Sequence, residues 1–174
     1  EQTQAMLPGG PHPIVQGDLR DPDSIKQMVD TAVSHLGQLD ILINNAGVYH
    51  DHPATDVSYA EWQRQWRDIL DTNLVGAANA IYCAIPHMQK QGYGRIVNVS
   101  SRGAFRGEPT SPAYGASKAG MNAMGQSLAK FLAPHNIFVG TVAPGFVETD
   151  MASEALSGES GRAIRSQGPL NRVA

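Results

Sequence analysis

The sequence is poor in cysteine, in basic charge and in long apolar runs, and each shortage removes a class of protein. Its 174 residues hold one cysteine, Cys83, so no internal disulfide can form and a reducing, cytoplasmic setting is expected. Cys83 lies in the apolar stretch Ala80-Ile81-Tyr82-Cys83-Ala84-Ile85, where a buried, inert thiol is the expected reading rather than a nucleophile. Lys and Arg number 13 against 16 Asp and Glu, a net charge of −3. There is no basic excess to hold nucleic acid and no charge block to make a tail. No apolar run approaches the roughly 20 residues a membrane-spanning helix needs, and Glu1-Gln2-Thr3-Gln4 lacks the pattern of a signal peptide. His50 and His52 alternate as they would on one strand face, but no carboxylate or third ligand stands at metal spacing. A surface loop is expected there, and no metal.

What is present is an alternation of short apolar runs with longer amphipathic ones, the pattern of β/α units on a parallel sheet. One domain's worth of chain is available. Pro13-Ile14-Val15-Gln16-Gly17 reads as a short strand followed by the loop Asp18-Leu19-Arg20-Asp21. Asp23 or Ser24 can cap the next helix, in which Ile25, Met28, Val29, Ala32, Val33 and Leu36 recur at helical spacing and Gly37 marks the end. Leu39 to Ile43 is a near-continuous apolar strand, as a sheet covered on both faces requires. Tyr59 to Gln91 reads as one long helix, with Trp62 and Trp66 one turn apart for core or subunit packing. Arg95 to Val99 is a strand, Pro112 to about Ala133 a helix, and Ile137 to Val142 a strand. Met151 to Ala174, rich in Ser, Gly and Arg, reads as a mobile segment.

The chemistry centres on Tyr114 and Lys118. Four residues of α-helix make a little more than one turn, so both lie on one face. A phenol is a poor acid or base at neutral pH. An ammonium one turn away stabilises the phenolate and lowers its pKa. Ser101, thirteen residues before Tyr114, could hold a carbonyl oxygen against the phenol, which makes a proton-transfer site between ketone and alcohol. Ser100 is the rival hydroxyl, but on a strand it points to the opposite face. Asn73 is a poor helix-interior residue that competes for backbone hydrogen bonds. Arg102 and Arg106 flank the expected substrate cleft; they could favour an acidic substrate, or simply be solvated.

Tyr-x-x-x-Lys keeps company with Asn44-Asn45-Ala46-Gly47, with Asp71-Thr72-Asn73-Leu74-Val75-Gly76, with Ile96-Val97-Asn98-Val99-Ser100-Ser101, and with Ala143-Pro144-Gly145-Phe146-Val147-Glu148-Thr149. In this order the chain, from about Ile14 onward, resembles the short-chain dehydrogenase/reductase family, and within it the β-ketoacyl-ACP-reductase-like members. The resemblance implies a doubly wound α/β fold, Rossmann-like, with helices on both faces of a parallel sheet. It implies an NAD(P)-dependent oxidoreductase acting on a small-molecule carbonyl or secondary alcohol, with Asn73, Ser101, Tyr114 and Lys118 as the catalytic set. Tyr114 would give and take the proton, Ser101 polarise the carbonyl, Lys118 also hold the nicotinamide ribose, and Asn73 hold a relay water. Asp18 and Leu19 would meet the adenine, and Asn45, Ala46 and Gly47 the adenosine ribose. Pro144 and Gly145 would pass the nicotinamide, whose carboxamide the Val147 backbone and Thr149 hydroxyl would contact. Similar proteins pair their long helices with symmetry mates, so a homo-oligomer, a tetramer or dimer, is expected.

A doubly wound nucleotide fold begins with a strand, a Gly-rich turn and a helix. No such turn precedes Ile14, and Leu7-Pro8-Gly9-Gly10 follows no strand. The resemblance thus implies a domain, spanning 1–174, that lacks its first βαβ unit and its last strand, and with them the residue that separates NAD from NADP. A truncated, non-catalytic product is one alternative on this ground. A sugar-nucleotide epimerase of the extended branch is the other, since it shares Tyr-x-x-x-Lys; the Asn-Asn-Ala-Gly motif and the short C-terminal region argue against it.

Overall fold

The computed structural model describes residues 6–10, 12–148, 153 and 156–173. Helix α1, Pro22–Leu36, starts with Pro at its first position and with the Asp21 side chain accepting from the Asp23 amide at 3.0 Å. The cap is thus Asp21, not Asp23 or Ser24; the Ser24 hydroxyl instead accepts from the Asp18 amide at 2.9 Å. Gly37 closes the helix at φ 80°, its amide donating to Val33 O at 2.8 Å. Strand β1, Ile41–Asn44, follows. Helix α2, Tyr59–Leu70, is capped by Ser58, which accepts from the Glu61 amide at 3.2 Å. It runs through a π-helical turn, Asp71–Val75, into α3, Gly76–Gln91. The expected single helix over 59–91 is therefore helical throughout, with one wide turn inside it. Then come β2 (Gly94–Val99), the short α4 (Gly103–Arg106), α5 (Pro112–Leu132), a 3-10 turn, β3 (Ile137–Val142) and α6 (Gly158–Ser166).

The three strands are parallel in the order β1-β2-β3, with Leu42 opposite Ile96 and Ile96 opposite Val139. Val29 of α1, Ile81, Ala84 and Met88 of α3, Leu132 of α5, and Ile96 and Ile137 of the sheet share one buried cluster with Leu39. The three long helices thus cover one face. On the other face of the sheet Ile41, Ile43, Phe138 and Val142 are exposed, and Arg95 lies over the Phe138 ring at 4.5 Å. Strand β1 accordingly alternates in burial, although its sequence reads as continuously apolar.

Three local expectations are corrected. Residues 13–17 form no strand, and Ile14 is exposed: a strand needs a neighbour for its amides and carbonyls, and this segment pairs with none among the described residues. The Ser-, Gly- and Arg-rich end carries α6, anchored by the buried Leu156, whose carbonyl accepts from Arg165 at 3.0 Å. His50 and His52 lie on no strand, and His52 is fully buried rather than on a surface loop. Cys83 is half-buried, and burial raises its thiol pKa, which suits the inert reading.

Gly76 sits where the π turn meets α3. A Cβ there would lie 2.6 Å from the backbone oxygen of Leu19 and 2.8 Å from its Cβ. Gly76→Ala should therefore cost about 1–3 kcal/mol through overpacking. A urea or thermal melt checks this, and a midpoint equal to that of the unaltered protein would contradict it.

Candidate active site

The polar residues of interest gather at the carboxyl ends of the three strands, where open α/β sheets take their ligands. Asn45, Ala46 and Gly47 follow β1, Ser100 and Ser101 follow β2, and Pro144 to Val147 follow β3. Beside them α5 begins at Pro112, which presets the first helical residue. Tyr114 stands half-buried in its first turn and Lys118 one turn on, 3% exposed.

The π turn supplies Asn73. The wider turn opens the i→i−4 ladder locally, and the fully buried Asn73 amide spans to the loop after β1. Its Oδ1 accepts from the Val48 amide at 2.8 Å, and its Nδ2 donates to Val48 O at 2.9 Å and to Ser117 Oγ at 3.2 Å. A Cβ on Gly47 would lie 3.2 Å from Asn73 Oδ1 and 3.5 Å from Lys118 Nζ, so Gly47 lets the backbone pass close to both. Asn73, Gly47 and Lys118 are thus together.

The two serines separate as the alternation of a strand requires. Ser100 is buried and donates to Lys118 O at 3.2 Å, which ties β2 to α5. Ser101 Oγ accepts from the Gly103 amide at 3.1 Å, leaving its own proton for a second partner. Ser101 acts on the Tyr114 phenol, whose pKa it lowers. Burial raises the phenol pKa, the Ser101 hydrogen bond lowers it, and the charge of Glu108 adds to the rise; burial wins. The expected lowering by Lys118 is not what this arrangement gives. The ammonium donates to Val99 O at 2.8 Å and lies 5.7 Å from the centroid of the Tyr114 ring. Burial in turn lowers the Lys118 pKa.

The donor set fits the ribose end of a nicotinamide dinucleotide. An ammonium carries three N–H groups, and among the described residues one of Lys118's is used, which leaves two for a diol. Gly145 has open space where a Cβ would stand. The Arg102 amide donates to Pro144 O at 3.0 Å, and its guanidinium lies 4.1 Å over the Phe146 ring, so the β3 loop is tied to the Ser101 loop. Val147 is exposed, and Thr149 lies outside the described residues. Asn45 and Ala46 are exposed at the end of β1. Leu19 packs on Gly76, and the Asp18 carboxylate is held by Arg20 at 3.0 Å, which lowers its pKa. Among the described residues no group of three or more His, Cys, Asp or Glu side chains could hold a metal ion, and no helix is long and apolar enough to cross a membrane.

Sequence reasoning missed two residues at this site. The Tyr49 ring packs edge-on against Tyr114 at 5.0 Å. His52 meets the start of α5: its Nε2 is 3.3 Å from the Ala113 amide. The partners are 65 and 61 positions apart, and no local pattern marks them.

The family model described as short chain dehydrogenase matches residues 1–160. The 3-oxoacyl-[acyl-carrier-protein] reductase FabG of Staphylococcus aureus strain Mu50 is 39% identical over 158 residues, covering 91% of this chain and 62% of that protein. The reductase of the same name from Thermotoga maritima is 39% identical over 166 residues, covering 95% and 65%. Among solved structures, a protein described as a short-chain alcohol dehydrogenase from Sinorhizobium meliloti 1021 superposes with a TM-score of 0.82 at 35% identity, over 91% of this chain and 62% of its own. One described as a short-chain dehydrogenase/reductase from Burkholderia xenovorans gives 0.83 at 30% identity, over 96% and 63%. The chain belongs to the short-chain dehydrogenase family, with the Rossmann-like α/β fold. It spans somewhat under two thirds of the length of these relatives.

The balance at the phenol can be tested. Tyr114 should ionise above the ordinary tyrosine value in the cofactor-free protein, and Ser101→Ala should move it higher, since the lost hydrogen bond favours the phenolate. Ultraviolet difference titration against Tyr114→Phe isolates this one phenol among five. A value at or below that of free tyrosine, or a downward shift in Ser101→Ala, would contradict the reading.

Proposed function

We propose that the protein is an NAD(P)-dependent oxidoreductase that interconverts a carbonyl and a secondary alcohol. The observation that carries this reading is the Lys118 ammonium one helical turn from the Tyr114 phenol and beside Asn73, with Ser101 on the loop after β2, all at the carboxyl ends of parallel strands. When bound, a reduced nicotinamide supplies a hydride to the carbonyl carbon. The chain's own part is to hold the carbonyl oxygen and deliver a proton to it. Ser101 donates a hydrogen bond to that oxygen, and Tyr114 gives its proton to the same atom, or takes it in the direction of oxidation. The half-buried site keeps the phenol protonated until a charge arrives to compensate.

Lys118 holds the ribose with its remaining N–H groups and restores the proton to Tyr114. Asn73 fixes the loop after β1 and holds the water through which that proton comes. Asp18 and Leu19 serve the adenine; Asn45, Ala46 and Gly47 its ribose; Pro144, Gly145, Val147 and Thr149 the nicotinamide. The cofactor is NAD or NADP. The name carried by the reductase relatives supports a 3-oxoacyl group as the substrate class. Arg102 and Arg106 suit an acidic substrate: both donate to the one neutral oxygen of Gln167, at 3.5 and 3.2 Å. The exposed Tyr82 of α3 and Phe131 of α5 support a homo-oligomer, and the single cysteine supports a cytoplasmic setting.

Tyr114→Phe should lower turnover by about 100-fold or more, the scale of general acid–base catalysis, while cofactor affinity stays near that of the unaltered protein. Lys118→Ala should weaken turnover and cofactor binding together. Steady-state kinetics with cofactor titration by fluorescence checks both, and most of the turnover surviving in Tyr114→Phe would sink the assignment. Sedimentation of the full-length protein should give a dimer or tetramer; a monomer refutes the association.

A further inference from the structure

We propose that His52 is a positioning residue: a neutral imidazole that caps the helix bearing Tyr114 and so sets where the phenol stands. The proposal rests on the reading of Tyr114 as the proton donor.

The first turn of α5 has its donors accounted for in an unusual way. Pro112 brings no N–H, and the Tyr114 and Gly115 amides donate to Ser111 O at 3.0 and 3.3 Å. Ser111, the residue at the capping position, makes no side-chain cap bond, although serine is among the preferred caps. Its hydroxyl is buried and without a partner among the described residues. The remaining donor, the Ala113 amide, goes to His52 Nε2 at 3.3 Å. A cap has thus been moved from the adjacent serine to a histidine 61 residues away.

The two partners of the ring fix its state. His52 Nδ1 lies 2.8 Å from His50 O, which can only accept, so Nδ1 carries the proton. The Ala113 amide can only donate, so Nε2 is bare. The ring is therefore neutral, with one defined tautomer. An imidazolium would turn a second N–H toward the amide and set a cation at the positive end of the helix dipole. The ring is also held in place. It is 0% exposed and packs at 64° on Trp62 of α2, with centroids 5.6 Å apart. The His52 amide donates to Thr110 O at 2.7 Å.

The next residue after Ala113 is Tyr114, so a shift of the cap is a shift of the phenol. The same loop braces the ring from the side. Tyr49 packs edge-on against Tyr114, its hydroxyl is 3.3 Å from Thr110 Oγ1, and Thr110 Oγ1 donates to Asp51 Oδ1 at 2.6 Å. His52, Tyr49 and Asp51 thus seat the α5 N-terminus on the loop that Asn73 holds.

His52→Phe keeps a ring against Trp62 but removes the acceptor. His52→Gln places an amide oxygen near the position of Nε2. The expected result for His52→Phe is a roughly tenfold to hundredfold fall in kcat, the range a misplacement of about 1 Å can produce. The cofactor KM should change by less than about twofold, since ground-state binding is not touched. The pH profile of kcat should shift as Tyr114 leaves its partners. His52→Gln should recover most of the rate and the original profile. An unchanged kcat and profile in His52→Phe, or a His52→Gln variant no better than Phe, overturns the proposal. Nitrogen NMR on the unaltered protein decides it even where His52→Phe does not fold. A protonated Nδ1 with a slowly exchanging Ala113 amide is expected; a protonated Nε2, or an imidazolium at neutral pH, overturns the cap. Tyr114→Phe run alongside separates the two readings. If that variant keeps its turnover, the catalytic reading fails by itself, while the tautomer still tests the cap.

Discussion

The arrangement depends on one amide. Asn73 accepts from the Val48 N–H and donates to the Val48 carbonyl, so a side chain in a π turn replaces a strand neighbour for a single residue of loop. Buried amides must be paired, and here the pairing decides where a whole loop runs. Held at Val48, the loop passes Gly47 within reach of Lys118 and then carries Tyr49 and His52 onto the start of α5. The third bond of Asn73, to Ser117, reaches that helix directly. The turn between α2 and α3 is accordingly π-helical rather than α-helical. Removing the π turn would return Asn73 to the helical ladder and leave Val48 unpartnered.

A second constraint is burial around the phenol. Opposing effects act on Tyr114: desolvation and the Glu108 charge disfavour the phenolate, and the Ser101 hydroxyl favours it. Desolvation is the larger, so the protein without cofactor holds a protonated tyrosine. Lys118 is under the same pressure and spends one N–H on the Val99 carbonyl. Burial thereby keeps the phenol protonated, while on Lys118 it acts against the charge. The ammonium has donors to give, and the phenol has a proton to give. On the proposed reading, a carbonyl substrate beside a reduced nicotinamide develops negative charge on oxygen, and these groups would receive it.

Much of this was legible in the sequence, for reasons that differ by element. Strands β1 to β3 and helices α1 and α5 follow from apolar periodicity and from Gly37 and Pro112, because those signals act within a few residues. Tyr114 and Lys118 share a helix face by local spacing, but it is the resemblance carried by the accompanying motifs that singles them out together with Ser101. What was not legible depends on contacts far along the chain. His52 reads as a loop histidine because its partners are Trp62 and Ala113. The segment at Ile14 reads as a strand because it is apolar, yet a strand exists only where a neighbour pairs with it. The π turn is hidden because Asn73 marks a poor helix residue without saying which carbonyl it seeks. The lowering of the Tyr114 pKa was expected from Lys118 alone, and the burial that outweighs it is a property of the packed site.

The central claim is that Ser101, Tyr114, Lys118 and Asn73 form one proton-transfer site beside a nicotinamide ribose. A crystal structure of the full-length protein with a nicotinamide dinucleotide and a carbonyl analogue tests it most directly. The account predicts the carbonyl oxygen between Ser101 Oγ and Tyr114 Oη, and the ribose hydroxyls on Lys118 Nζ. A nicotinamide bound away from Lys118, or a carbonyl oxygen out of reach of Tyr114, would contradict it.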